Sequence, residues 1–269
     1  PKTCNQDGLC AAVCPVGIIN FSPGAYPLPT TDAEALCIRC GHCVAICPTA
    51  SFTHREMAPA DCPPLPQEPA LSAEQCARLL QGRRSIRVYR QQPVERETIA
   101  RLIDLARYAP SGHNSQSAEW LVLSGRETLQ RLAALVIEWM RHTQVASPDL
   151  AQAMHLERTV ARWQDGHDVI LRNAPALIIA HAPGEDRMAA STCTIALAHL
   201  ELVATSFGLG TCWAGYLTAA AAVFPPLLNA LDLPVGHRCF GALMVGYPKF
   251  RYQRLPTRLP ARVTWRMDD

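Results

Sequence analysis

Apolar spacing in the second part of this chain alternates between helical and strand periods. In "VERETIARLIDLARY" (94–108), Ile99, Leu102, Ile103 and Leu105 recur at helical spacing, which predicts a helix. Further helices are expected near 126–141, 149–165 and 186–207, and strands at "EWLVLSG" (119–125), "ALIIAH" (176–181) and "FGALMVG" (240–246). "SIRVY" (85–89) reads as extended and "APSGHNSQ" (109–116) as a polar turn. A helix within "LSAEQCARLLQG" (71–82) is framed by Ser72 and Gln75, a capping box, and by Gly82 as its stop. This mixture predicts an α+β domain over 71–269, a central sheet flanked by helices. Residues 202–224 carry no charge, so a membrane helix has to be weighed. The inner "GLG" and scattered Ser and Thr argue instead for a buried helix ending at Gly208, then a packed loop.

Residues 58–70, "APADCPPLPQEPA", are rich in proline and lack an apolar period, which predicts a semi-rigid extended connector. Before it, two stretches repeat one pattern. "CIRCGHCVAICP" begins at Cys37 and "CNQDGLCAAVCP" at Cys4, with Asp7 standing where the second copy has Cys40. The spacing C-x2-C-x2-C-x3-C-P is a bacterial iron–sulfur run, in which three thiolates wrap one cluster and the fourth reaches the neighbouring one. Structural zinc sites use two separated cysteine pairs, a different spacing. The crossed rule assigns Cys37, Cys40, Cys43 and Cys14 to one cluster, and Cys4, Cys10 and Cys47 with Asp7 to the other. Asp7 then completes a 4Fe–4S cluster as a hard, labile corner, or marks a 3Fe–4S cluster without that iron. Residues 1–57 thus resemble a two-cluster ferredoxin domain, closed by a strand at "ASFTHREM" (50–57), and too small for a strong core without its metal.

Composition excludes little. The apolar fraction of 49% supports a real core, and a net charge of +2 with no Lys/Arg run speaks against nucleic acid as a partner. No membrane partner is expected, and the absence of a secretory leader in the sequence given suggests a cytoplasmic protein. The chain has twelve cysteines. Those outside the repeats (Cys62, Cys76, Cys193, Cys212 and Cys239) read as small buried hydrophobes. No G-x-G-x-x-G follows a strand and no P-loop is present.

"RRSIRVY" (83–89), "APSGHNSQ", "GLGTCWAGY" (208–216) and "VGYPKFRYQRLPTR" (245–258), in this order, resemble the FMN-dependent nitroreductase family. With the first 57 residues, the whole chain resembles a ferredoxin-fused member. The resemblance implies an entwined homodimer with FMN at the interface and a central antiparallel-rich sheet. It implies that Arg83, Arg84, Ser85 and Arg87 hold the flavin phosphate and pyrimidine edge, as suits guanidinium forks. Pro110, Ser111, Gly112, Asn114 and Gln116 would face the partner's flavin, and Cys212, Trp213, Ala214 and Gly215 would lie along it. Asn114 and Ala214 would stand nearest the ring, with the N–H of Ala214 or Gly215 bonding flavin N5. Arg254 and Arg258 would add phosphate contacts, with Arg251 able to exchange for Arg254. No side-chain acid or base is implied as catalytic. The expected activity takes electrons from a low-potential donor through two clusters to FMN, and on to a small electrophilic acceptor such as a nitroaromatic or quinone; the expected donor partner is NAD(P)H or a ferredoxin-type protein. The alternatives are a flavin dehydrogenase delivering electrons to ferredoxin, and a redox-sensing electron-transfer module.

Overall fold

The protein is described by a computed structural model covering residues 3–66 and 71–267. The last positions of the expected 58–70 connector, and the outermost residues of both expected domains, lie outside the described residues. The chain divides into two compact units: 1–72 together with 110–117, and 73–109 together with 118–269. The boundary at Ser72 lies beside the expected connector, but the 110–117 turn groups with the first unit.

The first unit is built from two copies of one loop. Helix α1 (Leu9–Ala12), the paired strands β1 (Ile19–Asn20) and β2 (Leu28–Pro29), and helices α2 (Ala33–Leu36) and α3 (His42–Ala45) are all very short. The repeat is visible in the backbone. Gln6 and Arg39 take left-handed φ of 58° and 55°, and Gly8 and Gly41 both take 72°. Each glycine carbonyl then accepts the first helical bond, from Ala12 N–H at 3.0 Å and Ala45 N–H at 2.9 Å. A side chain at either glycine is excluded twice over: by the left-handed φ, and by Phe21 at 2.5 Å and the Met57 sulfur at 2.6 Å from where a Cβ would stand. The closing strand expected at 50–57 is absent. His54 and Met57 instead exchange N–H···O bonds of 3.0 and 3.1 Å across a tight turn, and Glu56 N–H is taken by His54 Nδ1 at 3.1 Å. The connector is not extended at its start, where Pro59–Asp61 form a 3-10 turn and Asp61 accepts the Ala58 N–H.

In the second unit, α4 (Ala73–Gly82) ends at the expected glycine and α5 (Arg96–Ala106) buries Ile99, Leu102 and Ala106. Strand β3 (Glu119–Ser124) precedes the long α6 (Arg126–Ala146), which runs past its expected end near 141. The single helix expected over 149–165 is two, α7 (Pro148–Ala153) and α8 (Leu156–Gln164). His155 breaks it by adopting φ 53°, a conformation that no helix continues through. Then come β4 (Ala176–Pro183), α9 (Ala189–Ala204), β5 (Gly210–Trp213), α10 (Gly215–Val223), α11 (Pro225–Leu231) and β6 (His237–Gly246).

The four long-range strands form one antiparallel sheet in the order β3-β4-β6-β5. Alternation along β4 sorts the core into two layers. Leu177 and Ile179 face the layer of α6, α8, α10 and α11, while Ala176, Ile178, Ala180 and Ala182 face α5 and α9. The loop expected after Gly208 is therefore β5 and α10. Gly208 does end the preceding helical stretch, at φ 69°, but "GTCW" becomes a strand because β6 supplies its hydrogen-bonding edge. The uncharged 202–224 stretch is thus divided between the end of α9, a 3-10 turn at Thr205–Phe207, β5 and α10. The stretch Ala189–Phe207 is long and apolar enough to cross a membrane. Within it Thr192, Cys193, Ala196, Leu197, Leu200 and Glu201 are buried, and α9 packs on β4, β6 and α5.

"SIRVY" joins no named strand but is extended. Ile86 N–H donates to Thr211 O at 2.8 Å, Arg90 N–H to Tyr247 O at 2.8 Å, and Lys249 N–H to Val88 O at 3.0 Å. This approach depends on Gly210, where a Cβ would stand 2.3 Å from Ile86 Cγ1.

Candidate functional site

The first unit gathers the repeat cysteines into two groups. Cys14, Cys37, Cys40 and Cys43 line one cavity of about 520 Å³. Cys4, Asp7, Cys10 and Cys47 line another of about 310 Å³. Each group includes one cysteine of the other repeat, Cys14 in the first and Cys47 in the second. All eight positions are potential ligands, and the seven cysteines are free thiols. Four thiolate donors around one cavity suit an iron–sulfur cluster, and the second set differs only in Asp7.

Backbone and hydroxyl donors tune individual sulfurs. Cys47 Sγ accepts the Ser51 N–H at 3.2 Å and faces Thr49 Oγ1 at 3.6 Å. Burial pushes its thiol up, but these hydrogen bonds outweigh it and hold the group below its ordinary value. At Cys10 and Cys43 burial wins and the thiols are raised. Cys37 Sγ lies 3.6 Å from His54 Nε2. Asp7 is exposed, and its Oδ1 accepts the Leu9 N–H at 3.1 Å, which leaves the second carboxylate oxygen uncommitted within the loop.

The 110–117 turn is held to the second cysteine loop, residues 37–48. Asn114 Nδ2 donates to Ile38 O at 3.2 Å and Arg39 O at 3.1 Å, the carbonyls between Cys37 and Cys40. His113, Asn114 and Gln116 all have positive φ, at 51°, 54° and 48°. Ser111 Oγ braces the turn by accepting the Gln116 N–H at 3.0 Å. Pro110 and Gly112 complete the turn, with Gly112 opening its 3-10 segment.

In the second unit, the 83–87 segment and the 212–215 segment lie side by side through the Ser85–Thr211 bridge. Arg83 Nη1 pairs with Glu201 Oε1 at 3.1 Å. The same carboxylate accepts Thr211 Oγ1 at 3.3 Å and Trp213 Nε1 at 3.3 Å. The sequence reading missed Glu201, although it is the only acidic residue in the "AASTCTIALAHLELVA" of α9. Arg84 donates to the carbonyls of Arg83 and Gln81, and its Nε is buried without a partner among the described residues. Arg87 is exposed, and both it and Arg172 act electrostatically on Cys212 and Tyr89. Arg172, also missed, takes φ 60° in a turn that Asp168 organises by accepting the N–H groups of Ile170, Leu171 and Asn173. Arg87 and Arg172 are two guanidinium groups that act on the same thiol and phenol, a pair that fits a phosphate-bearing cofactor.

Ala214 N–H is committed to Ala242 O at 2.9 Å. Gly215, the first residue of α10, is where a helix leaves its N–H groups unpaired. Arg254 and Arg258 lie on an exposed stretch after Phe250. The scattered cysteines divide. Cys193, Cys212 and Cys239 are buried, with burial pushing Cys193 to about 12 and Cys239 to about 11, whereas Cys62 is half-buried and Cys76 exposed. The reading of all five as buried hydrophobes therefore fails for Cys62 and Cys76, both on surface segments.

Residues 80–247 match the Nitroreductase family and residues 3–51 the 4Fe-4S dicluster domain. An Archaeoglobus fulgidus protein whose name carries NADH dehydrogenase/NAD(P)H nitroreductase is 26% identical over 181 residues, covering 65% of this chain and 87% of its own. A protein named Ferredoxin 7Fe, from Hydrogenibacillus schlegelii, is 34% identical over 56 residues, covering 21% of this chain and 67% of its own. Among solved structures, a nitroreductase with bound FMN from Bacteroides fragilis shares the fold with a TM-score of 0.58 and 22% identity, over 70% of this chain and 96% of that one. The first match spans the greater part of the chain, which therefore belongs to the nitroreductase family of FMN-dependent oxidoreductases and carries an N-terminal 4Fe–4S dicluster domain.

Proposed function

We propose that this protein takes electrons from a low-potential donor at its dicluster domain and delivers them to an electrophilic small molecule, such as a nitroaromatic or quinone, at the flavin site. The sorting of eight ligand side chains into two cavities, in a chain of this family, is the observation that carries the reading. When bound, the clusters supply one-electron transfer and the flavin converts between one- and two-electron chemistry.

In this reading Cys14, Cys37, Cys40 and Cys43 hold a 4Fe–4S cluster, and Cys4, Cys10 and Cys47 hold a second whose fourth corner is Asp7. The name of the ferredoxin relative counts seven irons, the sum of one four-iron and one three-iron cluster, and so favours the three-iron form at Asp7. Arg84, Ser85, Arg87 and Arg172 hold the flavin phosphate, while Arg83 contributes one donor less because Glu201 takes it. Gly215 rather than Ala214 offers the N–H toward flavin N5. Cys212 and Trp213 shape the wall beside it. Asn114, with Pro110, Ser111, Gly112 and Gln116, remains assigned to the flavin-facing turn.

The test is an anaerobic titration followed by flavin absorbance and low-temperature EPR, adding NAD(P)H first and a reduced low-potential donor second. The reading requires cluster signals to appear with the low-potential donor before the flavin bleaches. Bleaching by NAD(P)H with clusters left oxidised sinks it.

The partner is a second copy of the chain. Leu255, Leu259, Val263, Trp265 and Met267 all lie exposed on a stretch without secondary structure, more apolar surface than an isolated segment retains in water. Removing residues after Phe250 should turn a dimer into a monomer in sedimentation and release flavin, since Arg254 and Arg258 leave with it. An unchanged sedimentation coefficient refutes the assignment.

A further inference from the structure

One end of the central sheet carries a ligand cluster that shares no residue with the cysteine cavities or the arginine-lined segment. Glu119 opens β3, His181 stands near the end of β4, and His237 opens β6. One ligand atom from each lies within 4.8 Å of the others. Glu119 is the direct cross-strand partner of His181. His237 is a diagonal neighbour, two residues from Cys239, which pairs with His181.

A register shift creates this arrangement. Ala180 pairs with Gly241 but His181 with Cys239, so Phe240 is the extra residue of a bulge. Without it, His181 would oppose Phe240 and His237 would point to the other face of the sheet. Gly236, at φ 81°, and the bond from Gly184 N–H to Gly236 O at 2.8 Å fix the backbone just before His237.

His181 Nδ1 and His237 Nδ1 are 3.0 Å apart, with ring planes at 59°. Neighbouring ligands at ~2.05 Å from one ion stand ~3.3 Å apart in a tetrahedron and ~2.9 Å in an octahedron, so the pair is already at ligand spacing. His181 is 5% exposed, so its imidazole is held in place beneath the strand ends. Glu119 is exposed and reaches the same point by side-chain rotation. We propose that Glu119, His181 and His237 bind a divalent cation of the zinc class, two imidazole nitrogens and one carboxylate leaving a fourth position for water or a substrate oxygen. Two histidines and a carboxylate are a donor set that zinc accepts in this number. The ion ties three adjacent strand ends together and replaces the single proton that the two facing Nδ1 atoms otherwise share.

The test adds zinc ion alone to the flavin- and cluster-loaded protein, then measures stoichiometry, thermal midpoint and zinc-edge X-ray absorption. We expect one zinc per chain with a nitrogen/oxygen shell at about 2.0–2.1 Å and no sulfur at about 2.3 Å, which separates this site from zinc captured by cysteines. The midpoint should rise on zinc addition. His237→Ala should abolish zinc uptake, and Glu119→Gln should weaken it about tenfold or more, both with flavin and cluster absorbance unchanged. Glu119 is exposed, so Glu119→Gln decides the matter if His237→Ala fails to fold. No uptake, a sulfur shell, or equal uptake by parent and variants overturns the proposal.

Discussion

Cys40→Ser and Asp7→Cys should change the iron content in opposite directions. The two positions are equivalent in the repeat, each preceded by a left-handed residue and followed by a glycine at φ 72°. Cys40 lines the cavity of Cys14, Cys37 and Cys43, and replacing its thiolate with a hydroxyl removes a soft ligand that iron–sulfur clusters require. Iron should fall by about four atoms per chain, and donor-driven turnover should drop steeply while FMN stays bound. Asp7→Cys places a thiolate in a loop that already has cluster-binding backbone, so iron should rise by about one atom per chain and the EPR signal should change from a three-iron to a four-iron form. Unchanged iron and EPR in Asp7→Cys remove Asp7 from the cluster corner. Wild-type turnover in Cys40→Ser, with the cluster lost, removes that cluster from the electron route.

Glu201→Ala should be the most damaging single change in the second unit. Its carboxylate is side-chain buried to within 9% and is met by Arg83, Thr211 and Trp213. Deleting it leaves a largely buried guanidinium, 25% exposed, without its counter-charge, and two further donors without an acceptor. Breaking such a pair costs about 3–5 kcal/mol, toward the lower end here because Arg83 keeps some solvent. For a unit of this size that corresponds to a fall in thermal midpoint of about 10 °C. Flavin affinity should fall as well, because Arg83 then loses the contact that positions the 83–87 segment against β5. Glu201→Gln keeps the shape and one acceptor and should lose less. Scanning calorimetry with and without added FMN separates the two effects, and a midpoint within 2–3 °C of the parent, or about 1 kcal/mol, refutes a structural role for the ion pair.

Different parts of the site were legible in the sequence to different degrees. The cysteine spacing carried the two ligand groups because ligand geometry is local: three cysteines two residues apart fall around one cavity whatever surrounds them. Helix α5 showed in its apolar period because it has one buried face, and β4 and β6 showed as short continuous apolar runs because both of their faces are buried. Glu201 did not, since its partners Arg83 and Trp213 come from separate segments, and nothing within α9 says that its one acid is turned inward. Arg172 stayed hidden for a similar reason, in a turn shaped by the Asp168 side chain.

Sequence alone determined the order of the domains, the ligand types and the class of chemistry, each written in short runs of neighbouring residues. Tertiary structure decided that "GTCW" is a strand, because an extended segment needs a paired edge and only β6 provides it. It decided that Asn114 bonds the carbonyls between Cys37 and Cys40. It also decided that His181 and His237 meet, through one extra residue at Phe240 that shifts the register and turns His237 to the same face. A bulge is set by how two strands align over their whole length, and no local window of sequence records that alignment.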